Sequence, residues 1–483
     1  MNKKILGLAF LSAALISVTS CTNLLDIEET DFIAGATALR TVQNNESLII
    51  GAYGAFNGQD MNVRLNGQMG DEVKPGEFYA RASTHEWQYN YDDVTIRDEY
   101  NAHTVYYRII DRANRVLAAL PDAIEEVPAD AALRTRVEGE AHFLRAYAHF
   151  ELFRFYAGNY DPNGLAMPYM ETPSLEPHAR DNMGDYFTKL LSDITTAKAL
   201  LPALGADRMR ANKIAATGLH ARVALYMRNW PEAITHSTEF INALPLASRA
   251  EFENIWTDES VAEVAWKLGR NTGSRMGSWY RPQVLNGAMG SSSWIVSDKL
   301  WDSFTEGADD VRFTSYLFDI PFLAADGRPS KMVHKYAGYK GDAGFGATDE
   351  NVADIKMLRT AEMYLIRAEA RAETGSFTGA NSAESDINAL RAARINGYTP
   401  VTFGSAAEAI TAVINERYKE LAFEGHRFWD LKRRGLPIER AASDAPSTEG
   451  RVLPANHFRF TLPIPRPEML ANPLMVQNPG YSN

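Results

Sequence analysis

Apolar side chains return every three or four positions through most of this chain, the period that gives an α-helix one buried face. Leu39, Val42, Ile49, Ala52, Tyr53 and Phe56 share one such face, and the pattern stops at Asn57 and Gly58. Val105, Ile109, Ala113, Val116 and Leu120 share a second, ended by Pro121, which cannot continue a helix. Residues 131–156 carry Leu133, Val137, Ala141, Leu144, Ala148, Leu152 and Phe155, a stripe long enough for a central strut. Further helices are predicted over 183–201, 211–228, 230–243, 352–374, 381–393 and 406–424, with Pro231 suited to a first turn. Two segments, 57–101 and 256–345, lack a sustained period and are rich in Gly, aromatic and polar residues. Irregular stretches of that length either carry function or pack as decoration over the helices.

Helices of this length joined by short turns stack as antiparallel pairs. Residues 215–241, with Ala-x-x-x-Leu spacings, Tyr226, Trp230 and Ala233, approximate a tetratricopeptide unit, and three to four degenerate pairs are predicted. The fold class is mostly α. A composition of 45% hydrophobic and 11% aromatic residues supports a large core. The candidate breaks at 338–351 and 443–450 are short loops, so residues 37–483 read as one domain.

The N-terminus changes the picture. Lys3 and Lys4 precede an apolar run over 5–18, too short to span a bilayer, which ends in small residues before Cys21. Residues 1–20 read as a secretory signal peptide, and Cys21 as the lipidation site of a bacterial lipoprotein. Residues 21–36, with Asp26, Glu28, Glu29 and Asp31, form an acidic tether. Cys21 is the only cysteine, which excludes disulfides, cysteine catalysis and a thiolate zinc site. No later apolar stretch approaches the roughly 20 residues of a membrane span, so the lipid is the predicted sole anchor. A formal charge of −12, more negative once Lys3 and Lys4 are removed, excludes nucleic acid as a partner.

The most chemical-looking pattern is Glu416, Glu420 and Glu424 on one helix face, followed by His426 and Asp430. Such carboxylates suit a metal ion or a glycosidase pair. Arg417, Arg427, Lys432, Arg433 and Arg434 lie close enough to neutralise them, and structural ion pairs explain the pattern without a ligand. Glu362 and Glu369 with Arg359, Arg367 and Arg371, and Glu140, Arg145, Glu151 and Arg154, read the same way. The ten histidines show no zinc-site spacing, and there is no nucleophile elbow or phosphate-binding loop. No metal, cofactor or catalytic residue is predicted.

A glycan makes a different demand: flat aromatic surfaces for its C–H faces and planar polar groups for its hydroxyls. Trp87, Tyr89 and Tyr91 alternate with Glu86, Gln88 and Asn90, so an extended strand would put three rings on one side. Asn66, Asp71, Glu72 and Arg81 lie upstream. The second irregular segment adds Trp279, Tyr280 and Arg281 among small residues, and Trp294 after three serines. The expected ligand contacts are Trp87, Tyr89, Tyr91, Trp279, Tyr280, Trp294, Asp71, Arg81, Asn66 and Arg281, unless the rings turn inward as core. Trp301, with Val296, Leu300 and Phe304 at helical spacing, reads as core.

Four stretches are recognisable together: 139–156 (GEAHFLRAYAHFELFRFY), 357–370 (MLRTAEMYLIRAEA), 416–435 (ERYKELAFEGHRFWDLKRRG), and 462–465 (LPIP) with 477–481 (QNPGY). In this order they resemble the SusD/RagB family of Bacteroidetes outer-membrane lipoproteins, with Tyr418 and Lys419 as mild departures. The resemblance implies a SusD-like fold of tetratricopeptide-like helical pairs, with long irregular loops carrying the ligand site. It also implies exposure at the cell surface, and the acidic tether is similar to surface-export signals of such lipoproteins. The implied role is a lid on a SusC-like TonB-dependent transporter that captures oligosaccharides, or in some branches peptides, and passes them to the barrel. Glycan-binding members resemble this chain in an aromatic arc built from the same two regions, which implies a location and not the individual contacts. A peptide-binding lid would rely on backbone hydrogen bonds and apolar pockets. A glycosidase and a free protein-binding scaffold are the remaining alternatives.

Overall fold

Thr41 starts the first helix whose whole length lies among the described residues, α1 (Val42–Gly54): its hydroxyl accepts the Asn44 N–H, and the Asn44 side chain accepts the Thr41 N–H in return. The computed structural model of the protein describes residues 38–77, 82–276, 279–281, 284–285, 288–290, 292–338 and 350–481. The signal peptide, the tether with Cys21, and Arg81 lie outside the described residues. After α1 the predicted stop at Asn57 and Gly58 is a kink, and α2 (Gln59–Met69) follows at once. Its helical period is masked because polar residues share its buried side: Asn62, Asn66 and Gln68 are buried beside Met61, Val63, Leu65 and Met69. Two of these amides, Asn62 and Asn66, are satisfied from the far end of the chain. Asn62 Oδ1 accepts the Trp429 indole N–H at 2.8 Å, and Asn66 Oδ1 accepts the Phe428 N–H at 2.9 Å.

The helices α3 (Ala102–Ala119), α4 (Asp130–Tyr156), α5 (Met183–Leu200), α6 (Lys213–Tyr226) and α7 (Trp230–Ala243) lie within a few residues of the spans the period predicts. Each packs on the next in chain order, and α7 then packs on α8 (Thr360–Glu373), which also holds α9 (Ala383–Ala392) and α10 (Ala406–Glu420). The fold is mostly helical. One core cluster runs from Val42 to Met475, and a second lies among α8, α9 and α10 around Leu365, Ile387 and Val413. No helix among the described residues is long and apolar enough to cross a membrane.

The α6–α7 pair is close because Gly218 faces Phe240; a Cβ there would sit 2.8 Å from the Phe240 ring. Gly218→Val therefore forces the helices apart, and a loss of about 1–3 kcal/mol is expected in urea unfolding. An unchanged midpoint would show that the Phe240 ring swings clear at no cost.

Short strands fill the irregular segments. β1 (Val73–Pro75) pairs antiparallel with β3 (Trp294–Val296), setting Val73 opposite Val296 and Pro75 opposite Trp294. β2 (Val264–Leu268) pairs with β4 (Ile355–Arg359), with Leu268 opposite Ile355. The predicted helix over 352–374 is thus a strand running straight into α8. All five β4 residues are buried, including Lys356 and Arg359, so neither helical nor alternating polarity marks the change.

The last helical turns, α11 (Arg427–Arg434) and α12 (Arg466–Ala471), lead to a C-terminal staple. Asn478 Nδ2 donates to Tyr156 O at 2.9 Å and Leu462 O at 2.7 Å, and Gln477 clamps both backbone groups of Ile464. The 462–465 and 477–481 motifs are a tie between the chain end and the end of α4.

Candidate functional site

The β1–β3 ladder joins the two irregular segments, but most of the rings they carry face inward. Trp87 is 2% exposed, takes a positive φ of 56°, and donates its indole N–H to Met69 O at 3.0 Å. That turn breaks the expected alternation, so Trp87, Tyr89 and Tyr91 do not line one side of a strand. Tyr89 is buried, its hydroxyl bonded to Arg459 O and beside the Tyr481 hydroxyl. Tyr280 is buried against α2 and donates to Val63 O at 3.3 Å. Trp294 is buried, with the His85 ring at 5.1 Å and the Trp279 ring stacked at 5.5 Å. Arg281 and Asn66 are buried too. These rings fill the space between α2 and the C-terminal segments, where burying a large flat surface gains more than displaying it. Tyr91 and Trp279 remain half-buried. Trp279 has the Arg64 guanidinium 5.9 Å from its ring centre, and its indole N–H has no acceptor among the described residues.

Asp71, also predicted as a contact, is an interior ion pair. Arg427 Nε and Nη2 reach it at 2.8 and 2.9 Å, and Lys299 Nζ at 2.7 Å. Burial works to raise its carboxyl, but Arg427 and Lys299 overcome this and hold it well below the usual carboxylate range. Its neighbour Glu72 is the opposite case. Burial pushes Glu72 up to about 8, with the Asp71 charge adding to the rise against one N–H donated by Phe423 at 3.0 Å.

The folded Glu72 therefore keeps a proton that the unfolded chain gives up near 4.5. Its contribution to stability is complete below pH 4.5 and is lost as pH rises through 8, because the native state holds more protons across that window. Glu72→Gln cannot titrate. Between pH 5 and 9 the wild type is expected to lose a few kcal/mol relative to this variant in urea unfolding, and parallel pH profiles would refute the assignment.

The Glu416, Glu420 and Glu424 ladder is fully paired inside the protein. Glu416 accepts Arg312 and Arg391 at 2.6 Å each, and Glu424 accepts Lys335 at 2.6 Å and Arg359 at 2.7 Å. Glu420 lies between Arg312, Arg359 and Arg394. Asp430 and Glu369 are held by Arg433, and Arg417 also reaches Asp430. Glu151 pairs with Arg154, and Glu140 with Arg136 and Arg210. These carboxylates have no open face toward a substrate.

The open concavity lies elsewhere. A cleft of about 410 Å³ sits between α3, the loop over 168–178 and α12, within the about 300–1,000 Å³ range of small-molecule sites. Ile110, Pro168 and Met170 form its apolar lining, and His103 and Tyr107, with ring centres 4.6 Å apart, add an aromatic one. Asp111, Asn114, Glu176 and Glu468 bring planar polar groups. The Tyr107 hydroxyl donates to Pro168 O at 2.9 Å, and Asn472 donates to His178 O and Glu468 at 2.8 Å each, which ties the loop to the walls. Burial pushes His103 down, against the pull of Glu468 at 3.4 Å. None of these residues was singled out in the sequence, because the cleft draws them from three distant stretches and each alone looks like an ordinary surface residue.

Stacked helix pairs, joined aromatic loops and an open mixed-polarity cleft make up this mostly helical fold. The chain belongs to the SusD/RagB family. The sequence model described as "SusD family" matches residues 326–481, and that described as "Starch-binding associating with outer membrane" matches residues 34–225. Among curated relatives, SusD-like protein P2 of Formosa agariphila is 24% identical over 523 residues, covering 97% of this chain and 98% of its own. A putative sugar binding protein from Bacteroides vulgatus has the same fold, with a TM-score of 0.78, 24% identity, and coverage of 92% of this chain and 100% of its own. A laminarin binding SusD-like protein follows at a TM-score of 0.71 and 22% identity, again covering 92% and 100%.

Proposed function

We propose that this protein is a cell-surface, glycan-binding lipoprotein, anchored in the outer membrane through Cys21, that captures oligosaccharides and passes them to a SusC-like TonB-dependent transporter. The observation that carries the reading is the match of residues 34–225 to a family described as starch-binding and associated with the outer membrane. The laminarin-binding structural relative supports a glycan as the ligand class. A core cluster running from Val42 to Met475 supports residues 37–483 as one domain. The ligand rests on the joined loops, where Trp279 offers a partly open ring stacked on the buried Trp294. Binding is weak, between millimolar and micromolar or about 4–8 kcal/mol, so that the glycan is released to the barrel.

The cleft favours a second reading, peptide capture, because its apolar floor lies under polar groups and its loop carries a fully exposed Leu175. Calorimetry of the lipid-free protein, residues 22–483, against starch- and laminarin-derived oligosaccharides and peptide mixtures separates the two. Trp279→Ala is expected to weaken glycan binding at least about tenfold, roughly 1.4 kcal/mol, while Tyr107→Ala leaves it unchanged; circular dichroism confirms that both variants are folded. Loss with Tyr107→Ala alone would move the site to the cleft. Binding of peptides alone would overturn the glycan class.

A further inference from the structure

The helices α6 and α7 bring together three metal-ligating side chains that no sequence spacing marks. Glu232 and His236 stand four residues apart on α7 and share a face, with His236 Nε2 2.9 Å from Glu232 Oε2. His220, on α6, stacks its ring on His236 with centres 3.7 Å apart. One ligand atom from each of the three lies within 4.8 Å of the other two. We propose that His220, Glu232 and His236 form a site for a divalent transition metal of the zinc class, clamping α6 to α7 and leaving one coordination position to water. The ligand set, two imidazoles and one carboxylate, is one that zinc accepts in tetrahedral geometry with an open fourth position.

The surroundings fit the ion. His236 is buried and His220 half-buried, and the neutral imidazole is the form that binds metal. Lys198 only donates, so at 3.4 Å it fixes His236 Nδ1 as an acceptor and leaves the proton on Nε2, facing Glu232. When the metal takes Nε2, that proton passes through solvent to Nδ1, and the Lys198 ammonium gives up its contact with Nδ1 and keeps the one with Glu239. Glu239 Oε2, 3.7 Å from Nδ1, moves closer to accept the Nδ1–H, which completes a carboxylate–histidine–metal arrangement without net proton release. Glu232 and Glu239 against Lys198 leave the site net negative. Bond lengths of about 2.0–2.2 Å require the three ligand atoms to close together. The lone pairs of the two imidazoles lie in their ring planes, so the stacked His220 and His236 must also tilt apart for both to face the ion, while Glu232, with a side chain 48% exposed, is free to swing in.

The experiment uses the untagged, lipid-free protein, residues 22–483, stripped with a chelator and titrated with Co²⁺ and then Zn²⁺. One equivalent of Co²⁺ is expected to give the visible absorption of a four-coordinate site, which Zn²⁺ abolishes, together with a rise in the midpoint of thermal unfolding. His220→Ala and Glu232→Gln, each folded by circular dichroism, should weaken Co²⁺ binding at least tenfold and remove the thermal shift. Absence of the four-coordinate spectrum at millimolar Co²⁺, or a spectrum unchanged in both variants, overturns the proposal.

Discussion

Arg359→Leu is expected to cost about 3–5 kcal/mol of folding stability, because it leaves several buried carboxylates facing a guanidinium that is gone. Arg359 is 1% exposed. Its Nε and Nη2 grip both oxygens of Glu424 at 2.7 Å, and its Nη1 reaches Glu420 at 2.6 Å and Glu263 at 2.9 Å. A fifth bond runs from Nη2 to the Glu420 carbonyl at 2.6 Å. Those bonds join β4, α10 and the loop before β2. Burial works to raise Glu420 and Glu424, and the facing arginines overcome it and hold both carboxyls below their ordinary values. Their contribution to stability is present above pH 4.5 and is lost as pH falls below it, so acid unfolding of the wild type is also expected there. Arg359→Lys should recover little, since an ammonium cannot span two carboxylates in one plane. Urea unfolding at pH 7 tests this. A loss below about 1 kcal/mol would show that the network closes around the gap.

Arg440→Met is the second large effect, and it links stability to the proposed binding face. Arg440 is buried and donates to four backbone carbonyls: Gly70 at 2.7 Å, His85 at 2.6 Å, and Gln68 and Gly450 at 2.9 Å. Its guanidinium lies 4.1 Å from the centre of the Trp87 ring. Burial pushes the group down from its ordinary value, and the carbonyl dipoles with the stacked ring keep the charge satisfied. Methionine fills similar space but leaves those acceptors without donors, at about 1–3 kcal/mol for each that water does not reach. A total loss of at least about 3 kcal/mol is expected, with new proteolytic cleavage between residues 68 and 90 and weaker glycan binding. Full glycan affinity in a destabilised Arg440→Met would separate the binding face from this clamp.

The legible part of the fold was its local part. Helices α3 to α7 follow from apolar spacing, and all but α6 end at a Pro or Gly signal, so their boundaries need no knowledge of what they pack against. The aromatic loops show the limit. Trp87, Tyr89, Tyr280 and Trp294 have the composition of a sugar platform, yet a Trp on a stacking surface and a Trp in a core are the same letter. Which one it becomes depends on whether another segment arrives to cover it. Here Met69, Arg459, Val63 and His85 do, and only Trp279 and Tyr91 are left partly open.

The same asymmetry separates α2 and β4 from the elements read correctly. Their buried polar residues break the hydrophobic pattern, and their partners, Phe428 and Trp429 for α2 and Glu420 and Glu424 for β4, lie far along the chain. By itself the sequence determined the helical class and the family motifs, since these rest on periodicity and on short stretches of chain; the glutamate ladder is paired as expected, but by Arg312, Lys335, Arg359, Arg391 and Arg394 and not by the neighbouring Arg417, Arg427, Lys432, Arg433 and Arg434. Only the tertiary structure decided which rings face solvent, where the cleft opens, and that His220 meets Glu232 and His236. Each of those depends on contacts between distant segments, which local spacing does not encode.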